Sequence, residues 1–441
     1  IRERDVQKAE DNLNKSLIIA TENNDHLGRA RALLNLVGRV YGPTGRHEEG
    51  KKSLEILLAL PKYKDISVFK VVALMNLGLI SRFNNDRDKA LLYYSKALRS
   101  ITKWKLFSRK TAVYCNMITT LYEMGCFSKS IMNARKAMMI SEALSQRDLI
   151  LDILEPYSLS LWAKGKTSEA IRLSKKAFHI STIYQKPYFE GMSQVILGVS
   201  EFEELMFAES LKNISESVSH LEMIGCHYES FSSKLEYLRL LKFLRAEERF
   251  NVFQHKWGGK DILFRSACSL GLPKALISVL DPSVVDKKQD LDGSFILWLE
   301  NMDHRTLEVL YEFLKFNHSE LRYDLQIKWT WAYLSKDLEP PYNPMRLLSK
   351  SPGGIFGLRI LAILWRQNFK AGKTRKAQKI RKLLLDRLYF ARIHSDDRIW
   401  ECVIKDGDIA AAIRGTIPAN PIPQKKGGLK ARLEKKPFKK R

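Results

Sequence analysis

The sequence predicts an all-α solenoid built from repeated helical hairpins. Three observations lead to this fold class: a period of 40 residues, a Gly or Asn at the turn of most periods, and a small residue where the two helices of each hairpin should cross. A repeat period of about 20 to 50 residues is typical of solenoids and related repeat architectures, so the period carries the most weight.

The period appears in five segments that align without gaps. One position of the alignment holds Gly38, Gly78, Ile118, Ser158 and Gly198. The positions four residues and one residue before it are apolar in every segment, with Gln194 as the exception. Two positions three residues apart lie on one face of a helix. They predict the first helix of each hairpin.

A turn is predicted seven residues after that position. The five segments hold Gly45, Asn85, Gly125, Gly165 and Leu205 there. Gly and Asn tolerate the left-handed backbone that a tight turn between helices often needs. Leu205 departs from the pattern.

A second helix with a small residue near its start is predicted after each turn. The small residues are Gly50, Ala90, Ser130, Ala170 and Ser210. Small side chains at a crossing let two helices approach to about 8 to 10 Å. One hairpin cannot bury its own apolar face, so successive hairpins must stack into a superhelix with a concave inner surface.

This pattern resembles the tetratricopeptide repeat, most clearly over residues 32–60 and 72–100. The step of 40 is similar to the longer repeats of bacterial signalling ATPases, maltose-activator-type transcription regulators and Rap-type peptide receptors. The resemblance implies a right-handed superhelix that binds a protein or peptide in its concave groove. It also implies a sensor or docking arm of a larger signal-transduction protein, and a chain beginning at Ile1 suits a piece of such a protein.

The domain organisation follows from where the repeat pattern holds. Residues 1–245 are predicted to form the repeat array, 246–335 a helical extension, and 336–355 a Pro- and Gly-rich linker. Residues 356–414 recover the repeat spacing and are predicted to form a degenerate repeat or a cap that carries a basic helix. The Lys-rich residues 415–441 have little to bury and are expected to be disordered.

Candidate ligand-binding residues lie on the first helices. Asn76 and Asn116 occupy the same position of the repeat, and Asn35 lies one position earlier in the previous segment. An Asn amide can hydrogen-bond to the backbone of an extended peptide. The tetratricopeptide resemblance implies ligand contact at this position. An Asn that bonds within its own hairpin is an equally open reading. The position six residues after the Asn position holds Arg82, Tyr122, Trp162 and Phe202 in successive segments. Binding hot spots are enriched in such residue types. Aromatic residues at helical spacing are also typical of a core.

The net charge of +25 is concentrated near the C-terminus. Residues 366–441 hold 22 basic and 7 acidic residues, an excess of 15. One predicted helix there turns a basic face outward, formed by Lys373, Arg375, Lys376, Lys379, Arg381 and Lys382. A solvated helix face explains this charge, and so does contact with nucleic-acid phosphates. The alternative function is therefore a nucleic-acid-associated helical repeat protein.

Catalysis finds no support in the sequence. Gly372, Lys373 and Thr374 hint at a phosphate loop, but Gln367 stands where that motif needs Gly. The five cysteines are scattered without a C-x-x-C pair, which favours a reducing, cytoplasmic compartment without disulfides or zinc. No apolar run reaches the length of a membrane span. We expect no enzyme activity, no cofactor or metal, and no membrane partner.

Overall fold

The computed structural model describes residues 3–226 and 322–413, apart from positions 62, 85 and 336. All regular elements in these ranges are helical, and they contain no strand. The all-α fold class is thus confirmed for the described part of the chain. The predictions for 246–321 and for the tail 415–441 lie outside the described residues.

The N-terminal range holds eleven α-helices in the part of the chain that the structure describes. They are α1 Glu3–Glu22, α2 His26–Leu36, α3 His47–Ala59, α4 Lys64–Phe83, α5 Arg87–Trp104, α6 Lys110–Glu123, α7 Phe127–Ala143, α8 Ile150–Ala163, α9 Thr167–Ile183, α10 Pro187–Glu203 and α11 Phe207–Met223. A π-helical turn, Val37–Tyr41, continues α2. Helices α2 to α11 form five hairpins, numbered one to five in chain order.

The second helices of the five hairpins keep the predicted step of 40. They begin at His47, Arg87, Phe127, Thr167 and Phe207. The turns before them use the left-handed backbone at Gly45, Gly125 and Gly165. Leu205 also adopts it, with φ of 65°, although its side chain carries a β-carbon.

The small-residue slot marks the crossing within each hairpin. Ser130 donates a hydrogen bond from Oγ to the carbonyl of Ile118 over 2.9 Å, and Ser210 donates one to the carbonyl of Gly198 over 2.7 Å. Both bonds join a second helix to the backbone of the first helix twelve residues earlier. Ala90 and Ala170 occupy the same slot with no exposed surface. The backbones therefore approach closely where the sequence predicts.

First helices also pack against one another. Contacts join α2 to α4, α4 to α6, α6 to α8 and α8 to α10. By length and composition alone, α4 is a candidate membrane span, with mean hydropathy 1.6 over an 18-residue window. Half of that window is buried in the protein, and α4 packs against α3 and α5, which accounts for its apolar residues.

Residues 322–413 form six further helices within the described chain. They are α12 Tyr323–Ser335, α13 Pro344–Leu348, α14 Gly354–Lys370, α15 Thr374–Ile393, α16 Asp397–Ile404 and α17 Gly407–Ile413. α14 and α15 pack as a hairpin around Gly372, which has φ of 70°. Ala377, Ile380, Leu384 and Leu388 of α15 are buried.

These helices dock on the edge formed by the turns of hairpins three to five, here called the turn edge. The ring of Tyr323 covers Gly165, and a β-carbon built on Gly354 would lie 2.9 Å from the ring of Phe202. The carbonyl of His394 accepts a 3.0 Å hydrogen bond from the amide of Ala208. One hydrophobic core runs through α6 to α11 and residues 323–413.

The segment predicted as a linker is part of this docked structure. Leu347, Leu348 and Ser351 are buried, and Ser351 donates from Oγ to the carbonyl of Glu203 over 3.4 Å. Arg387 donates to the carbonyls of Leu348 and Pro352, which ties α15 to the segment. Its prolines and glycines thus shape a packed connection.

Candidate functional site

A groove of about 400 Å³ lies along the first helices of hairpins two to five and is called the inner groove. All of its lining residues come from α4, α6, α8, α10 and the short turn of 3₁₀ helix before α8. They are Met75, Arg82, Ala112, Cys115, Asn116, Thr119, Tyr122, Leu149, Asp152, Glu155, Pro156, Leu159, Tyr188 and Phe189. No second helix contributes to its walls.

The same repeat positions recur around the groove. Met75, Cys115 and Glu155 are 40 residues apart, and so are Asn116 and Pro156. The repeat therefore builds the groove by presenting one face of each first helix in turn. Residues that differ at an equivalent position give each hairpin its own chemistry.

The two Asn residues that share a repeat position, Asn76 and Asn116, line two neighbouring cavities. Asn116 lines the inner groove, while Asn76 lines a second cavity of about 320 Å³ between hairpins one and two. Both side chains are partly buried, and neither amide bonds to another described residue. The structure therefore describes no hydrogen bond that holds either amide within its own hairpin. Asn35 is exposed and lines neither cavity.

Arg82 lines the inner groove with its charge already paired. Its Nε lies 3.3 Å from Oε1 of Glu123, whose other carboxylate oxygen lies 3.5 Å from Nε of Arg87. The guanidinium of Arg82 also lies 5.4 Å from the centroid of the Phe83 ring. An acidic ligand group at Arg82 would have to compete with Glu123.

The predicted aromatic line exists, but it runs along the turn edge beneath the C-terminal helices. Trp162 is only 7% exposed, and the guanidinium of Arg322 lies 4.9 Å from its ring centroid. Phe202 packs against Gly354 and against the ring of Phe207. Tyr122 alone reaches the inner groove. Segments of the same chain therefore cover Trp162 and Phe202, a packing that one-dimensional repeat spacing does not reveal.

Sequence reasoning missed the carboxylates of the inner groove. Asp152 and Glu155 lie on α8, one helical turn apart, and Pro156 follows them inside the helix. Proline has no N–H, so the carbonyl of Asp152 loses its usual helical donor. Two carboxylates and one backbone carbonyl thus gather on one turn of α8. The sequence does contain a signal for this difference, because Pro156 stands at the position that holds Asn in hairpins two and three.

The negative charge of Asp152 on α8 acts on the thiol of Cys115 on α6. Burial raises the pKa of the Cys115 thiol to about 12, and the negative charge of Asp152 contributes. The surrounding protein atoms also raise the pKa of Asp152 itself, although its side chain keeps an exposed face, and repulsion from Asp148 adds to the effect. The positive charge of Lys186 acts in the opposite direction and lowers the pKa of Asp152, but does not outweigh these two effects.

The basic face of α15 is largely in solvent. Five of the six predicted cations are exposed and Arg381 is partly buried; within the described ranges none of the six forms an ion pair. The exposed five are Lys373, Arg375, Lys376, Lys379 and Lys382.

Other chemistry finds no assembled site in the described residues. They contain no cluster of three or more metal-ligating side chains, and the cysteines among them, Cys115, Cys126, Cys226 and Cys402, are free thiols. No protein-family model and no curated protein matches the chain.

Proposed function

We propose that the protein is a non-catalytic binding scaffold of the tetratricopeptide type, a right-handed superhelix that holds an extended peptide or protein segment in the inner groove. The observation that carries this proposal is the groove itself, lined by the first helices of four successive hairpins. Closely packed first helices flanked by second helices curve an array toward the first helices, which gives a concave inner surface.

Asn116 supplies the backbone recognition in this proposal. Its amide has one acceptor and two donors, which suits a peptide whose main-chain groups are otherwise unpaired. Tyr122, Tyr188 and Phe189 line the same groove and offer apolar surface to side chains. Main-chain bonds then give affinity, and pockets between hairpins give selectivity.

The cellular role proposed for this scaffold is the sensor or docking arm of a larger cytoplasmic regulatory protein. Its ligand would be another protein or another domain of the parent chain. The repeat spacing and the free thiols support this proposal.

A peptide array tests the binding function. Random 12-residue peptides are probed with the full chain and with Asn116→Ala, and Asn12→Ala on the exposed side of α1 serves as the matched control. We expect Asn116→Ala to weaken a subset of peptides while circular dichroism and melting temperature stay unchanged. A pattern that is identical for both variants would contradict the proposal.

Nucleic-acid binding through α15 is the second candidate function, favoured by the exposed cations without ion pairs. Phosphate contacts make the affinity fall as the salt concentration rises. The slope of log affinity against log salt concentration is about −0.9 for each phosphate contact to duplex DNA. Lys376→Gln with Lys379→Gln should therefore reduce the salt slope for a labelled duplex by about two. Binding that is insensitive to salt would rule this candidate out.

A further inference from the structure

The charges of the hairpin formed by α14 and α15 fall into two groups. Residues 354–395 hold eleven basic residues and one acidic residue, Asp386. Four arginines bond to other parts of the fold, three of them to carboxylates and one to backbone carbonyls; they are Arg359, Arg366, Arg392 and Arg387. Six further cations are exposed and form no ion pair within the described ranges; they are Lys370, Lys373, Arg375, Lys376, Lys379 and Lys382. The second group is therefore open to an anionic ligand.

One stripe of α15 carries cations and then an aromatic ring. Arg375, Lys379 and Lys382 are four and three residues apart, so their side chains lie on one side of the helix. Tyr389 continues the stripe seven residues after Lys382 and is 51% exposed, and Asp386 is the one acidic residue between them. The helical rise places Tyr389 about 21 Å from Arg375. That length accommodates about six nucleotides at the roughly 3.4 Å rise of a stacked strand.

A second exposed ring lies where α14 turns into α15. Phe369 is 63% exposed, and its ring stacks on that of Trp365 with the centroids 5.8 Å apart and 27° between the planes. Lys370 follows Phe369 in sequence. The amide of Lys373 donates to the carbonyl of Asn368 over 2.9 Å, which holds Lys373 in the same turn. The hairpin thus has one ring among cations at its tip and another near the far end of α15.

Exposed rings beside unpaired cations favour a single strand over a duplex. Phosphates attract the cations in either form. Base pairs of a duplex cover one another's faces, whereas an unpaired base of any identity can stack on an aromatic side chain. The rings therefore supply the contact that distinguishes the two forms.

An anionic membrane would also attract this charge. A helix that lies in a membrane interface buries its apolar face among the lipids. The apolar face of α15 is instead buried inside the protein, through Ala377, Ile380, Leu384 and Leu388. Insertion of α15 into a bilayer would require this face to unpack, so nucleic acid is the better match.

We infer that the hairpin of α14 and α15 binds single-stranded nucleic acid, with phosphates at Arg375, Lys379 and Lys382 and unpaired bases stacked on the exposed rings of Phe369 and Tyr389. This inference rests on the second candidate function, nucleic-acid binding through α15, and names the form of its ligand. Phosphates and base faces are common to DNA and RNA, so both kinds of single strand should bind.

Fluorescence anisotropy of the full chain tests this inference. A labelled single strand of about 12 nucleotides, as DNA and as RNA, is compared with the DNA duplex of the same sequence. The readout is the ratio of single-strand to duplex affinity, because cations elsewhere in the chain attract both forms. Phe369→Ala with Tyr389→Ala should lower this ratio by about fivefold or more, the loss expected when one base stack is removed.

The matched control removes two rings of similar exposure from the repeat array. Phe107→Ala with Tyr184→Ala should leave the ratio of affinities unchanged. Circular dichroism and melting temperature check that both double variants keep the fold.

The lysine variant described above, Lys376→Gln with Lys379→Gln, separates failure of the inference from failure of the binding function. If it weakens binding of both forms while the ring variant leaves their ratio unchanged, the inference is wrong and the binding function stands. If it weakens neither, nucleic-acid binding through α15 fails, and this inference fails with it. Binding to phosphatidylserine vesicles that the ring variant abolishes, with strand binding unaltered, would assign the hairpin to a membrane surface and overturn the inference.

Discussion

The ring of Tyr94 occupies the space where a β-carbon on Gly78 would lie. A carbon built there would fall 2.3 Å from Cε1 of Tyr94, whose side chain is fully buried. The equivalent pair in hairpin five is Gly198 and Ile214, where the separation would be 2.2 Å from Cγ1. In both hairpins a glycine on the first helix makes room for a large residue sixteen positions later.

Replacing Gly78 by Ala should destabilise the protein. Ala normally favours a helix over Gly by about 1 kcal/mol, but displacing a buried ring costs about 1 to 3 kcal/mol, so the clash decides the sign. Gly38 is the matched control, because a β-carbon there meets no atom within 4 Å. Gly38→Ala should stabilise by about 0.5 to 1 kcal/mol. Urea unfolding of both variants measures the difference, and two changes of the same sign would contradict it.

Ala170→Leu should also lower the free energy of unfolding. Ala170 is fully buried at the crossing of α8 and α9, and extra methyl groups at such a site cost about 1 to 3 kcal/mol. Ala59→Leu, at the exposed end of α3, makes the same change where there is space. An unchanged melting temperature for Ala170→Leu would show that the crossing is looser than described.

Tyr323→Phe should loosen the docking of the C-terminal helices. The Tyr323 hydroxyl lies within hydrogen-bond distance of the carbonyls of Ser351 at 2.8 Å and of Leu347 at 3.2 Å. Removing it leaves the buried carbonyl of Ser351 without this donor, at a cost of about 1 to 3 kcal/mol, while the carbonyl of Leu347 still accepts from the amide of Lys350. Tyr389→Phe, on an exposed face of α15, is the control. Denaturant unfolding that does not distinguish the two variants would mean that this hydrogen bonding contributes little.

Acid should weaken the contact between α11 and the end of α15. His394 Nδ1 lies 2.7 Å from a carboxylate oxygen of Glu209. Burial alone would raise the pKa of Glu209, but the hydrogen bond from His394 and a backbone hydrogen bond outweigh it and lower that pKa. A lowered carboxyl pKa contributes stability above its unfolded value of about 4.3, and the contribution disappears as pH falls through the folded value. Glu209→Gln should therefore flatten the pH dependence of unfolding below about pH 5, and an identical acid limb in both proteins would contradict this.

Local spacing predicted the hairpins because each depends on residues close in sequence. The crossing at Ala170 and the turns at Gly125 and Gly165 could be read directly, since a small residue or a glycine marks each. The turns between successive hairpins could not. Lys105, Ser145 and Gln185 all have positive φ at a step of 40, as does Gly225, but only the last carries a residue type that signals it.

The site was harder to predict, because exposure depends on contacts between distant segments. Trp162 and Asn116 lie on successive first helices, yet Arg322 covers Trp162 while Asn116 stays open to the inner groove. Nothing in the repeat marks which turns a segment 160 residues later will cover. The carboxylates of α8 were missed for another reason: the repeat alignment directs attention to positions that agree, and Asp152 and Glu155 are where the hairpins differ.

The C-terminal helices divide the described array into two groups of hairpins. They share one core with hairpins three to five, whereas the cores of hairpins one and two are separate from that shared core. Removal of residues 322–413 would therefore expose apolar surface of hairpins three to five and leave the cores of hairpins one and two covered as they are. The inner groove draws on both groups, with Met75 and Arg82 on hairpin two and Asn116, Asp152 and Glu155 on hairpins three and four.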